Sequence, residues 1–480
     1  MALIKCTNCG GTMSDRAEKC PHCGYSINAE HSPYPSIEEA TEASAGIPMQ
    51  EPIETIVEPR KKSYLWIWLC FIAIAAGIGF GVYYYAYLYK PHCGADGEYI
   101  NLSKEQLLKL ADKNDLEAMT QLGINLAADQ DYTTAFEWFK KAGEQGYAKA
   151  QCYMGICYQN AFGVEKNPAE AFKWFKKAAE QGYAEAQYNM GICYQNAIVV
   201  EKNPTEAFKW FKKAAEQAYA EAQHNMGVYY LNGIGVEKNP TEAFKWFKKA
   251  AEQGLASSQN NMGVFYENGI VVGKNLREAF KWYLKAAEQG EMDAQYNLAL
   301  CYATGNGVDT NTSEAFRWFM KAAEQGHARA QYFAGVSYDE ENPREAFKWF
   351  KKAAEQGDAD AENKVGLYYR EGLAGDKNPY EAFKWFRKAA EQDNAEAQNN
   401  LGICYQFGIG VESNPENAFK WHLKAAEQGL ASAQFNVGYC LAMGVGTAQN
   451  IEKGIQWIEK SAEQGNEDAQ SLLDNLRSQY

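Results

Sequence analysis

The sequence predicts an all-α solenoid of about ten helix pairs, preceded by a small cysteine module and one membrane-spanning helix. Three observations predict it. Ten of the twelve tryptophans recur in register from Trp138 to Trp457, 36 residues apart except for 31 between Trp318 and Trp349. The decapeptide KWFKKAAEQG stands word for word at 173–182, 245–254 and 348–357, and AAEQ occurs eight times. Ahead of the repeats, residues 64–89 carry no charge. Fixed-period self-similarity overrides any domain count drawn from a length of 480 residues. A catalytic residue is needed once, so repetition points to architecture.

The chain opens with CTNCGGTMSDRAEKCPHCG, which places Cys6, Cys9, Cys20 and Cys23 as two C-x2-C pairs, each followed by glycine. Two close pairs can direct four thiolates at a tetrahedral Zn²⁺, and the glycines let the backbone turn tightly around each pair. So short a segment cannot bury a core, and one structural zinc would supply its folding free energy, roughly 10–16 kcal/mol in comparable peptides. Residues 1–28 resemble a bacterial zinc ribbon; two disulfides or free thiols are the alternatives.

Residues 29–63 read as a disordered acidic linker. Ala29–Pro59 holds seven Glu, five Pro and neither Lys nor Arg, and cannot bury enough apolar surface to offset its ordering entropy. Tyr64 to Tyr89 then forms a transmembrane helix of about 39 Å, against about 30 Å of hydrocarbon. Trp66 and Trp68 at one end, and tyrosines from Tyr83 to Tyr89 at the other, suit the two interfaces with the lipid bilayer. Arg60, Lys61 and Lys62 precede the span and only Lys90 follows it closely. The positive-inside rule therefore puts the N-terminus in the cytoplasm and the solenoid in the periplasm or outside the cell. Residues 90–102 are a juxtamembrane segment.

Residues 103–480 carry the repeats. Most second helices open with Asn-Pro, as at Asn203–Pro204: Asn caps, Pro takes the first helical position, and Glu206 sits where a capping box needs it. Phe208, Phe211 and Ala215 share one stripe, Ala207, Trp210 and Ala214 the next, while Lys209, Lys212 and Lys213 face water. Gly182, Gly254 and Gly290 close such helices. The first helix carries Ala186, Met190, Gly191 and Tyr194. A mid-helix glycine costs about 1 kcal/mol against alanine, so its recurrence predicts close helix approach, with Tyr and Trp filling the space between units. The segment 103–112 and the last helix depart from the pattern, as capping units must.

The pattern A-x3-[LM]-G-x2-Y followed by A-x2-W-x3-AA-x2-G resembles the Sel-one-like repeat (SLR) family, relatives of the tetratricopeptide repeats. The resemblance implies an α/α superhelical solenoid that acts as an adaptor or scaffold for protein complexes. Its partner would be a protein or peptide, or a cell-wall glycan. Clustered cations are missing from a chain of net charge −14, which argues against nucleic acid. On the first helices, the position two after the repeated Ala gives the column Tyr188, His224, Asn260, Tyr296, Tyr332, Asn363, Asn399 and Phe435. These side chains suit stacking and hydrogen bonding to an extended ligand, or the column is simply more packing.

A β-lactamase-like envelope hydrolase is the alternative, because some cysteine-rich members of the family have been described as such. Their mark is a disulfide in each repeat. Here Cys157, Cys193, Cys301, Cys404 and Cys440 hold one helix position in different units. Neighbouring repeats set such positions too far apart for a disulfide's Cα separation of roughly 5.5–6 Å. No S-x-x-K, G-x-S-x-G or H-E-x-x-H occurs. The sequence therefore predicts a non-enzymatic binding protein.

Overall fold

Asn-Pro punctuation sets the observed helix boundaries. The computed structural model describes Leu3–Lys5, Thr12–Ser14, Tyr99 and residues 101–478. Ten first helices run from Leu116–Ala128 through Ala184–Asn196, Ala220–Asn232 and Ala256–Asn268 to Ala431–Met443. They alternate with ten second helices, from Tyr132–Glu144 through Pro204–Glu216 to Ile451–Glu463. Lys104–Ala111 precedes this array and Glu467–Ser478 follows it. Two short strands, β1 (Leu3–Lys5) and β2 (Thr12–Ser14), pair antiparallel with Ile4 opposite Met13. The four predicted zinc ligands, the linker 29–63 and the apolar stretch 64–89 lie outside the described residues. Among the described residues, no helix is long and apolar enough to cross a membrane.

The helical array forms two compact units. One ends at Cys301 and takes in Asn306–Asp309; the other takes in Tyr302–Gly305 and continues from Thr310.

The repeat Ala184–Glu216 shows how the sequence builds each pair. Asn203 Oδ1 accepts from the Glu206 backbone N–H at 3.0 Å, and Pro204 fills the first helical position. Such a cap contributes about 1 kcal/mol. Asn167, Asn239, Asn342 and Asn378 cap their helices in the same way. The full capping box expected at Glu206 does not form. The Asn203 N–H already donates to the Tyr194 carbonyl at 2.9 Å, closing the loop back onto the first helix. Glu206 turns forward instead and pairs with Lys209 at 2.6 Å. A reciprocal box does form at Ser103 and Gln106, where the chain enters the array.

Gly191 faces Phe211 of the second helix, and a methyl group there would sit 2.5 Å from the ring. Gly155 and Phe175, Gly227 and Phe247, and Gly263 and Tyr283 repeat the arrangement. The glycine thus admits a ring from within its own repeat. Phe211 is fully buried, worth about 2–3 kcal/mol in transfer free energy. The tryptophans have the between-unit role: Trp210 packs on the cluster that holds Phe175, Met190 and Cys193. Lys213, expected only to face water, lays its Nζ 4.1 Å from the centre of the Trp210 ring.

Buried glutamines tie three helices at several of these joints. Gln217 Nε2 donates to Gln187 Oε1, and Gln187 Nε2 donates to the Ala179 carbonyl at the end of the preceding repeat. Gln253, Gln223 and Ala215 repeat the relay, as do Gln428, Gln398 and Ala390.

Candidate functional site

On each first helix this packing leaves one stripe that is half-buried to exposed. On Ala184–Asn196 it contains Glu185, Asn189, Ile192 and Asn196, spaced one turn apart. The first three are half-buried and Asn196 is exposed. Its polar centre recurs as Asn225, Asn261, Asn297, Asn400 and Asn436. In the sequence they stand three residues after the repeated small residue, directly beside the column of larger side chains.

The structure places the sequence-predicted column on the flank of this stripe, where repeats meet. Tyr188 is half-buried, with its ring centre 5.7 Å from Phe211 and 5.3 Å from Tyr219. His224 stands edge-on to Phe247, and its Nδ1 lies 2.9 Å from Ser258 Oγ. Burial holds the imidazole down to a pKa of about 4. Asn260 is buried and accepts from Asn297. Tyr296 is half-buried. Tyr332 packs on Phe350 with the Arg329 guanidinium 4.6 Å above its ring centre. Asn363 donates to Glu396 and accepts from Asn400. Asn399 accepts from Asn436 and meets His422 Nδ1 at 2.8 Å. Phe435 packs on the cluster of Ile458, Ala469 and Leu473. These residues stand one per repeat and do not converge on a single point.

Charge on the stripe is mostly paired. Lys149 meets Glu117 at 3.0 Å, Lys364 meets Asp339 at 3.0 Å, and Arg329 meets Asp360. Glu185 is an exception in kind: burial raises its carboxyl to a pKa of about 7, opposed by a hydrogen bond from Tyr183.

The reactive side-chain types are used in packing. Cys152, Cys157, Cys193, Cys301, Cys404 and Cys440 are free and buried. Burial pushes Cys157 and Cys301 up to about 12, far from a reactive thiolate. His422 takes the place of the core phenylalanine, is fully buried, and is held down to about 4 by that burial. Among the described residues, no three His, Cys, Asp or Glu side chains gather as a metal site.

The Sel1 repeat model matches ten consecutive segments, from 116–147 to 431–466. A protective antigen of uropathogenic Escherichia coli strains, c5321, which displays an SLR fold, is 36% identical over 78% of this chain and 82% of its own, with a TM-score of 0.65. A Sel1 repeat protein from Oxalobacter formigenes is 32% identical over 56% of this chain and 96% of its own, with a TM-score of 0.43. Among curated proteins none matches.

Proposed function

The chain belongs to the Sel1 repeat family, and from that premise we propose that it is a non-catalytic, membrane-anchored scaffold whose first helices hold a partner polypeptide. Sel1 repeat proteins generally act through protein–protein interaction. The observation that carries the reading to this chain is the open stripe. The second helices bury their aromatic rings and cover their outer faces with Lys–Glu pairs, which are worth little individually. The first helices leave carboxamides and small apolar groups at the same position repeat after repeat, which is a surface suited to a long ligand.

Anchoring rests on the charge-free stretch 64–89 and on the three cations before it. The cysteine pairs of residues 1–28 would hold one structural Zn²⁺ in the reducing cytoplasm. The solenoid would then face outward, a setting in keeping with the description of the Escherichia coli relative as a protective antigen.

Photo-crosslinking in intact cells tests the reading. A crosslinker at position 225, on the stripe, should capture a discrete polypeptide, and one at position 212, on the outer face of a second helix, should not. Equal capture from both positions, or capture from neither, would overturn the scaffold reading. So would nitrocefin turnover by the purified chain, which the hydrolase alternative requires.

A further inference from the structure

The repeats are close copies, so a position that breaks the copy singles out its surface. The last residue of the first helix is Asn160, Asn196, Asn232 and Asn268 in successive repeats, and later Thr304 and Glu371. In the last two repeats it is Phe407 and Met443, 68% and 55% exposed. One turn earlier on the same stripe stand Ile403, half-buried, and Tyr439, exposed. Asn399 accepts from Asn436 and donates to Ser432, which holds the helices Ala395–Phe407 and Ala431–Met443 side by side. The four apolar side chains therefore share one patch, within the compact unit that continues from Thr310.

The rim of the patch is acidic. Ser413 Oγ donates to the Gln406 carbonyl at 3.1 Å and the Asn414 N–H to the Tyr405 carbonyl at 2.8 Å, folding Glu412 back towards the end of that helix. A methyl group on Gly446 would strike the Pro415 carbonyl, so the turn after Met443 rests on the helix start that carries Glu416. Gln449 Nε2 donates to the Ala442 carbonyl at 2.8 Å and brings the exposed Ile451 and Glu452 to the same end. Earlier repeats balance such carboxylates: Lys166 follows Glu165, and Glu170 pairs with Lys173 at 2.6 Å. Here Ser413 follows Glu412, and Asn417 and Lys453 stand where the pairing Glu would be. Segments 408–417 and 444–453 hold Glu412, Glu416 and Glu452, all exposed, against Lys453 alone. Among the described residues no ion pair joins the three carboxylates to a cation.

We propose that this end of the stripe docks an amphipathic helix of a partner protein, with apolar side chains on the patch and lysine or arginine against the rim. The contact deepens the scaffold reading and rests on it. Apolar pairs one turn apart on two neighbouring helices are the ridges between which a third helix packs. Charge selects among the occupants. A second copy related by a two-fold axis would set the two acidic rims against each other, and an anionic lipid surface would repel them. A basic helix meets both the apolar and the charged requirement.

The test uses the full chain in nanodiscs of zwitterionic lipid, with a photo-crosslinking phenylalanine analogue at position 407 or, as control, at position 196. The probes are two helical peptides of about 18 residues with leucine at every third or fourth position, their polar faces all lysine or all glutamate. Position 407 should capture the lysine peptide and not the glutamate peptide, and position 196 should capture neither. Met443→Ser should raise the peptide concentration needed for half-capture by about tenfold. Glu412→Lys with Glu416→Lys should raise it by a similar factor, and high salt should erase that difference. If Met443→Ser melts early, the charge variant decides alone. Equal capture of the two peptides at 407 overturns the proposal, as does capture of a second copy or of lipid alone. So do variants that leave capture unchanged, and a position 196 that captures as strongly as 407. If 407 captures neither peptide while position 225 still captures a polypeptide in cells, this contact fails and the scaffold reading stands. Loss of capture at 225 would instead remove the reading itself.

Discussion

Gln217 Nε2 donates to Gln187 Oε1 at 2.8 Å, and Gln187 passes the chain on to the Ala179 carbonyl at 3.3 Å. One buried carboxamide thus joins the end of its own repeat to the end of the one before. Gln187→Ala should remove both bonds, although the Ala179 carbonyl keeps the Gly182 N–H and Gln217 Nε2 keeps the Gly182 carbonyl. The expected loss is therefore about 1–2 kcal/mol, measured by urea unfolding of the repeat domain. A loss no larger than that of an exposed Gln→Ala control would show that water replaces the relay without cost.

One repeat breaks the relay, which makes it a natural variant. Gln392 donates to Glu362 Oε2 at 2.7 Å, where the other repeats have Gln. Burial raises the Glu362 carboxyl above its usual range, opposed by the hydrogen bond from Gln392. An ionised Glu cannot donate to the preceding carbonyl as Gln187 does. Because the folded pKa is raised, the Glu362 chain is most stable below the unfolded pKa and loses stability as pH rises through the folded one. Glu362→Gln should therefore stabilise at pH 7 by about 1 kcal/mol, and the gain should shrink in acid. A gain that did not depend on pH would point to packing in place of ionisation.

The helix pairs, their caps and the aromatic core were legible because each rests on a local rule. Asn203–Pro204 needs only the chemistry of a helix start, and the register of Trp210 only a count. The destination of Glu206 was not legible. It depends on the Asn203 N–H being taken by Tyr194, a loop closure that no pattern within the helix reveals. The site was half legible for a similar reason. Asn189 and Asn225 stand at a fixed place in the repeat, but whether such an Asn is engaged depends on a side chain 37 residues earlier, as Asn260 and Asn297 show. Sequence spacing identified the columns, and only contact between repeats separates packing from surface.

Glycine at 191 is a steric requirement, and its sign is testable. In an exposed helix Gly→Ala gains about 1 kcal/mol. At Gly191 the new methyl would meet Phe211 at 2.5 Å, so Gly191→Ala should cost about 1–3 kcal/mol. Ala218 supplies the opposite case. It holds a φ of 64° where Gly182 and Gly254 hold 93° and 97°. Ala218→Gly should gain up to about 1 kcal/mol by removing left-handed strain. Thermal melts of the two variants should move in opposite directions, and movement in the same direction would refute the assignment.

The cysteine pairs predict a metal dependence confined to the N-terminus. The full chain should carry one Zn²⁺ per molecule by elemental analysis, and Cys20→Ser should abolish that stoichiometry. The melting of the repeats should not change with the metal, because the six described cysteines are free and packed in the core. Zinc retained at full occupancy in Cys20→Ser would exclude the four-thiolate site.

Two kinds of buried group set opposing pH slopes in the first compact unit. Burial raises Glu185 and Glu291 to about 7, so each contributes stability that is full below about pH 4.5 and is lost as pH rises to about 7. Burial lowers His224 to about 4. Its stability is therefore full above about pH 6.5 and is lost as pH falls towards 4. His422 adds the same slope in the other unit. Between pH 4.5 and 6.5 the carboxyls and the imidazoles pull against each other, and the wild-type melting temperature should change little. Glu185→Gln with Glu291→Gln removes one side of the balance. The transition of the first unit should then move to higher temperature with each rise in pH from 4 to 6.5, as His224 requires, while Glu362 keeps an opposing slope in the unit that holds His422. A first-unit transition that stayed flat in that variant would show that His224 is not buried as a neutral ring.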